Sequence, residues 1–165
     1  MKVQLKNVKY FAAGSEETSC FVATVYIDGV KAGAVENDGR GGAHYYSPHT
    51  LETVLADYAK SLPAESTPYM DPLDKSVPFV FQPNADTVVD RALDDFLQAR
   101  DLRRLLSTHV LYVRDGRVYQ TKRFPAVTVA GWCAKGAEWL CRKVNATAVL
   151  NLMPFDSALT LYRAQ

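Results

Sequence analysis

Two Asp-Gly dipeptides, Asp28-Gly29 and Asp115-Gly116, each stand between short runs of β-branched and aromatic residues, and they constrain the fold more than any other feature. A type I′ turn needs positive φ at both central residues, which Asp and Gly tolerate, and its twist matches the strands it joins. A loop of two residues also fixes register. In 20–37, CFVATVYIDGVKAGAVEN, that register sets Ile27 against Val30, Val25 against Ala32 and Ala23 against Ala34. One apolar face then turns inward, and its alanines leave room for a helix. In HVLYVR-DG-RVYQTKR the same rule sets Arg114 against Arg117, Tyr112 against Tyr119 and Val110 against Thr121, with Arg123 following on that face.

The remaining segments fill in around these hairpins. Val3, Leu5, Val8 and Tyr10 alternate with one interruption near Asn7, the pattern of a strand with a bulge. Asn37 to Gly42 is a loop by its glycine and Asx content. Ser47-Pro48 has the form of a helix N-cap followed by proline, with Leu51, Val54, Leu55, Tyr58 and Leu62 at helical spacing up to Pro63. Residues 63–83 hold five of the eight prolines, which rules out a long regular element. Their apolar residues, from Tyr69 to Phe81, lead us to expect an ordered insertion lying against the body of the domain. Asn84 is positioned to cap a long helix through Leu106, with a break expected near Asp101. A helix over 127–143, a strand over 148–152 and a closing helix over 155–163 complete the order. Regular βαβ alternation is missing, so the expected class is α+β, with an antiparallel or mixed sheet built from the hairpins and helices mainly on one face. A length of 165 residues suits one domain spanning 1–165.

Composition narrows function by exclusion. Lys and Arg total 19 against 18 Asp and Glu, a balance that disfavours nucleic acid and anionic membranes as partners. No apolar run resembles a signal peptide or membrane span, so a cytoplasmic protein is expected. Cys20, Cys133 and Cys141 form no CxxC pair and read as small buried hydrophobes. His44, His49 and Asp38 match no established metal-ligand spacing, so neither metal nor cofactor is expected. A Cys20 pair with His44 or His109 lacks any local signature of a nucleophile and base. Glu16-Glu17 reads as a solvated turn. Trp132 and Trp139, with Leu140, share one side of their helix and read as core; exposed, they would mark a protein interface.

Two surfaces remain as candidates. Arg114, Arg117 and Arg123 beside Tyr112 and Tyr119 could grip phosphate, carboxylates or stacked bases, the alternative being an ordinary solvated sheet face. Asp38, Gly39, Arg40, Gly41 and Gly42, with His44 and Tyr45 just before a helix, offer backbone N–H groups to an anion such as a nucleotide phosphate. That loop matches neither G-x-G-x-x-G nor G-x-x-x-x-G-K-[ST], and the alternative is a plain connection.

The string Lys6-Asn7-Val8-Lys9, Ser15-Glu16-Glu17-Thr18, Cys20-Phe21, Val25-Tyr26-Ile27-Asp28-Gly29 and Asn37-Asp38-Gly39 resembles the opening of small uncharacterised proteins of bacteriophages and mobile genetic elements. Ala99-Arg100-Asp101-Leu102, Thr121-Lys122-Arg123 and Leu150-Asn151 continue the likeness. None of these is a catalytic signature. The resemblance implies a genomic setting, and with it a non-enzymatic accessory protein that binds a host macromolecule, a host protein first, and inhibits a defence or regulatory component. The alternative is a protein that binds or sequesters a nucleotide-type small ligand.

Overall fold

A computed structural model describes the backbone of residues 1–70 and 72–164, and their side chains except those at 68, 126, 127, 134, 135, 137 and 140. The chain is α+β, and it separates into two compact units, Met1–Asp94 and Asp95–Gln165.

The first unit is built on a four-stranded antiparallel sheet in the order β1 (Val3–Tyr10), β2 (Phe21–Ile27), β3 (Val30–Asn37) and β4 (Tyr45–Ser47). The break in alternation at Asn7 is a bulge: Asn7 has φ 53° and the register slips between Lys6 and Lys9. Asp28 and Gly29 turn the chain with φ 49° and 86°. A second bulge then corrects the register read from the turn, because Val25 opposes Gly33 and Ala23 opposes Val35. The extra residue brings Val35 to the core face, where it is buried with Leu5, Phe21, Ala23 and Val25. The close approach therefore falls on Gly33 and not on the alanines. A Cβ there would lie 2.4 Å from the Ser47 carbonyl oxygen and 2.9 Å from Leu51 Cδ2.

Helix α1 (Thr50–Lys60) follows, burying Leu51, Leu55 and Ala59. Ser47 does not cap it. That residue belongs to β4, the Ser47–Pro48 peptide is cis, and His49 occupies the cap position without a side-chain bond. Between 63 and 83 the prolines interrupt but do not prevent pairing, and β5 (Glu65–Met70) and β6 (Pro78–Phe81) form a two-stranded sheet. Apart from the half-buried Phe81, the large apolar side chains among the described residues of this segment are exposed, Tyr69 at 76% in β5 and Leu73 at 98% between the strands, so the expectation that they lie against the body fails. At its base, Gln82 Nε2 donates to the carbonyls of Ala59 and Leu62, and Arg91 pairs with Glu65. Helix α2 (Ala85–Thr108) starts at a real cap, since Asn84 Oδ1 accepts from Thr87 N at 2.8 Å. It runs unbroken past Asp101 and buries Val88, Val89, Ala92 and Leu93.

The second unit takes the rest of α2, the hairpin β7 (Leu111–Arg114) and β8 (Arg117–Gln120), α3 (Ala126–Val144), β9 (Ala148–Val149) and α4 (Phe155–Arg163), with sheet order β8-β7-β9. Strand alternation gives this small sheet two apolar faces. Leu111 packs with Leu102, Leu150 and Ala158 on one, and Val110 packs with Val129 and Val149 on the other. Asn151, in the turn after β9, bonds across the unit: Oδ1 accepts from Leu111 N, and Nδ2 donates to the Leu106 and His109 carbonyls.

Candidate functional site

The second hairpin holds the pairing Tyr112–Tyr119, Val113–Val118 and Arg114–Arg117 around Asp115 and Gly116, whose φ angles are 50° and 74°. Tyr112 and Tyr119 stack with centroids 5.8 Å apart and rings 19° from parallel. The Arg114 guanidinium lies 4.5 Å from the Tyr119 centroid, within cation–π range, and 3.6 Å from the Asp115 carboxylate. Its Nε is buried and has no hydrogen-bond partner among the described residues. Arg117 and Arg123 are exposed. Strand pairing has thus brought Arg114, Arg117 and Tyr119 to one end of the ribbon.

This face is less open than its sequence suggests. Tyr112 is half-buried and packs against the Val110, Val129 and Val149 cluster with Trp132, Cys133 and Cys141 of α3. It supports Tyr119 from beneath, and the reachable groups are Arg117, Arg123, the outer side of Tyr119 and part of Arg114. Trp132 joins the same cluster and meets Trp139 edge-on at 5.9 Å, while Trp139 itself is 54% exposed. The Leu140 side chain lies outside the described residues.

The glycine loop has turned its polar groups inward. Asn37 is 3% exposed, and its Oδ1 accepts from Gly39 N at 2.8 Å and from Thr18 Oγ1 at 2.7 Å. Arg40 N donates to Asp38 Oδ1, and Gly41 N to Thr18 Oγ1. The amides of Gly39, Arg40 and Gly41 are therefore held by side chains of the chain itself. Gly39, at φ 86°, fits because a Cβ there would lie 2.0 Å from the Gly14 carbonyl oxygen. Arg40 and Tyr45 are exposed, Tyr45 at 68%.

His44 is 8% exposed and sits between Asn37 and Asp90. The Gly39 N–H fixes which end of the Asn37 amide is oxygen, so Nδ2 is the atom 3.0 Å from His44 Nδ1. An amide donor there requires an unprotonated Nδ1, and the ring proton sits on Nε2, 3.0 Å from Asp90 Oδ1. Both ring nitrogens are occupied. Nearby, the Tyr46 hydroxyl donates to Asp86 Oδ1 at 2.6 Å. Burial first, then that bond, then the charges of Asp86, Glu52 and Asp90 raise the Tyr46 pKa far above the ordinary tyrosine range. His49 is turned elsewhere and pairs with Glu52 at 3.2 Å. Among the described residues no three His, Cys, Asp or Glu side chains gather as a metal site. Cys20, Cys133 and Cys141 are free and half-buried, and burial pushes the Cys133 thiol pKa up.

Sequence reasoning missed Thr18, Asn37, Asp86 and Asp90 as the polar frame of this loop. No local signal marked Asn37, because the register read from the turn sets the even-numbered residues of β3 inward and only the bulge brings Asn37 to the core side. The other residues of the frame lie up to 46 positions along the chain from the residues they hold.

The fold and surfaces define a small α+β protein with two exposed arginine- and tyrosine-bearing regions. No protein-family model, curated protein or solved structure matches the chain. Among the described residues no helix is long and apolar enough to cross a membrane.

Proposed function

We propose that this chain is a non-enzymatic binding protein, an accessory protein of the phage type that attaches to a host protein and inhibits it, with a defence component as the target class. The observation that carries the binding part is the end of the second hairpin. Two like-charged arginines directly opposed across a strand pair weaken the pairing. Here one of them, Arg114, lies over Tyr119 and pairs with the Asp115 carboxylate at 3.6 Å, while the exposed Arg117 opposite it has no ion pair among the described residues. An anionic group on a partner, a carboxylate or a phosphate, supplies Arg117 with an acceptor and a countercharge. The target class rests on the resemblance to phage and mobile-element proteins.

The glycine loop supports the reading by what it has already committed. A nucleotide phosphate would have to displace Asn37, Asp38 and Thr18 from the amides it needs, and His44 has no free nitrogen to act as a base. The test is affinity capture from host cells with the tagged protein, read by mass spectrometry. An Arg114→Glu/Arg117→Glu double variant with an unchanged circular dichroism spectrum should lose the captured partner by about tenfold or more, because reversed charge at a desolvated contact costs several kcal/mol. Equal capture by the variant would remove the hairpin from the proposal.

A further inference from the structure

The four-stranded sheet buries one face under helices and leaves the other bare. Across that bare face the strand pairings line up Lys9, Val22, Glu36 and Tyr45 in one row over β1, β2, β3 and β4. Directly paired residues project to the same side, so these side chains form a continuous strip. It starts with a cation, ends with a carboxylate beside a phenol ring, and has an apolar centre. Val22 is 42% exposed, and Phe11, at the end of the strip, is 52% exposed. Among the described residues the Glu36 carboxylate forms no ion pair, and Lys9, two strands away in the same row, forms none either. The next row carries Lys6, Thr24, Ala34 and Ser47, with Lys6 over the Tyr26 ring at 4.1 Å. Lys31, opposite Tyr26, sits at the far end of β3 from Glu36.

A strip that is basic at one edge and acidic at the other is complementary to itself after a half-turn. With a twofold axis lying in the interface, along the strands and between β2 and β3, β1 of one copy falls over β4 of the other. Lys9 then stands over the facing Tyr45 and beside the facing Glu36, and the contact is made twice by symmetry. Val22 lies at the centre with Phe11 at the rim, and Lys31 meets the facing Tyr26 ring. At about 4.8 Å between strands and about 3.4 Å per residue, strands of 8, 7, 8 and 3 residues present a patch of roughly 400 Å² before side-chain relief. That lies below the roughly 800 Å² per partner of a tight complex, which fits a reversible dimer with a micromolar Kd.

We propose that this bare sheet face is the interface of a symmetric homodimer held by Lys9 against Glu36 and Tyr45 of the second copy. It does not depend on the hairpin reading above, since the residues belong to the first unit. Sedimentation velocity from about 1 to 200 µM provides the test. The wild-type chain should show a monomer–dimer equilibrium, and Lys9→Glu and Glu36→Lys should each weaken it by about tenfold or more through like-charge contacts. Mixing these two variants should restore dimers, because every contact in the mixed pair again joins opposite charges. A wild-type chain that stays monomeric at 200 µM, variants that dimerise as well as wild type, or a mixture that stays monomeric would each overturn the proposal.

Discussion

Asn37 and Tyr46 show how single polar side chains set the first unit's interior. Asn37 satisfies a loop amide, a threonine and a histidine at once, and truncating it would strand each of those groups. Tyr46 makes one bond, but to a carboxylate, and its neutral form is what the fold selects. The sign of the pH effect follows. A tyrosine whose folded pKa is raised above its unfolded value, about 10, adds stability that is fully present below that pH and is lost as pH climbs past it. Tyr46→Phe should therefore cost about 1–2 kcal/mol at pH 8. Above about pH 10 the gap between variant and wild type should narrow, as measured by urea unfolding across pH 8 to 11. A gap that stays constant or widens would mean that Tyr46 is not held neutral by its surroundings.

Elements obeyed their local signals except where a neighbour intervened. The Asn84 cap, the Asp-Gly turns and the bulge at Asn7 are short-range devices, and each was legible because its cause lies within a few residues; the Ser47 cap failed because pairing with β3 claimed that residue for β4. The bulge in β3 was not legible, since it is set by the need to bring Val35 inward and to pass Ser47 and Leu51 close to Gly33. The two glycines of α3 look alike in sequence and differ in space. Nothing lies within 4 Å of a Cβ built on Gly131, whereas a Cβ on Gly136 would sit 2.9 Å from the Trp132 ring. Gly131→Ala should thus stabilise by about 0.5–1 kcal/mol through helix propensity. Gly136→Ala should destabilise by about 1–3 kcal/mol by overpacking the indole. Denaturant midpoints at unchanged m-value read both, and a stabilising Gly136→Ala would show that the indole moves away freely.

At the scale of the molecule, 19 basic against 18 acidic residues leave no long-range field to gather an anionic polymer. Fluorescence anisotropy with a labelled random-sequence duplex should show no binding tighter than about 100 µM at physiological salt. Micromolar affinity falling steeply with added salt would bring nucleic acid back as the partner. The sequence by itself determined the α+β class, both turn positions, the register of the second hairpin and the start of α2, because turn dihedrals, caps and side-chain periodicity act over a few residues. Only the tertiary structure decided that the glycine loop folds onto Asn37, that Tyr112 lies under α3, that the 63–83 strands stand exposed, and how the apolar residues divide between two units. Those outcomes depend on partners tens of residues apart, and such pairings are fixed by the packing of the whole chain, which no local pattern encodes.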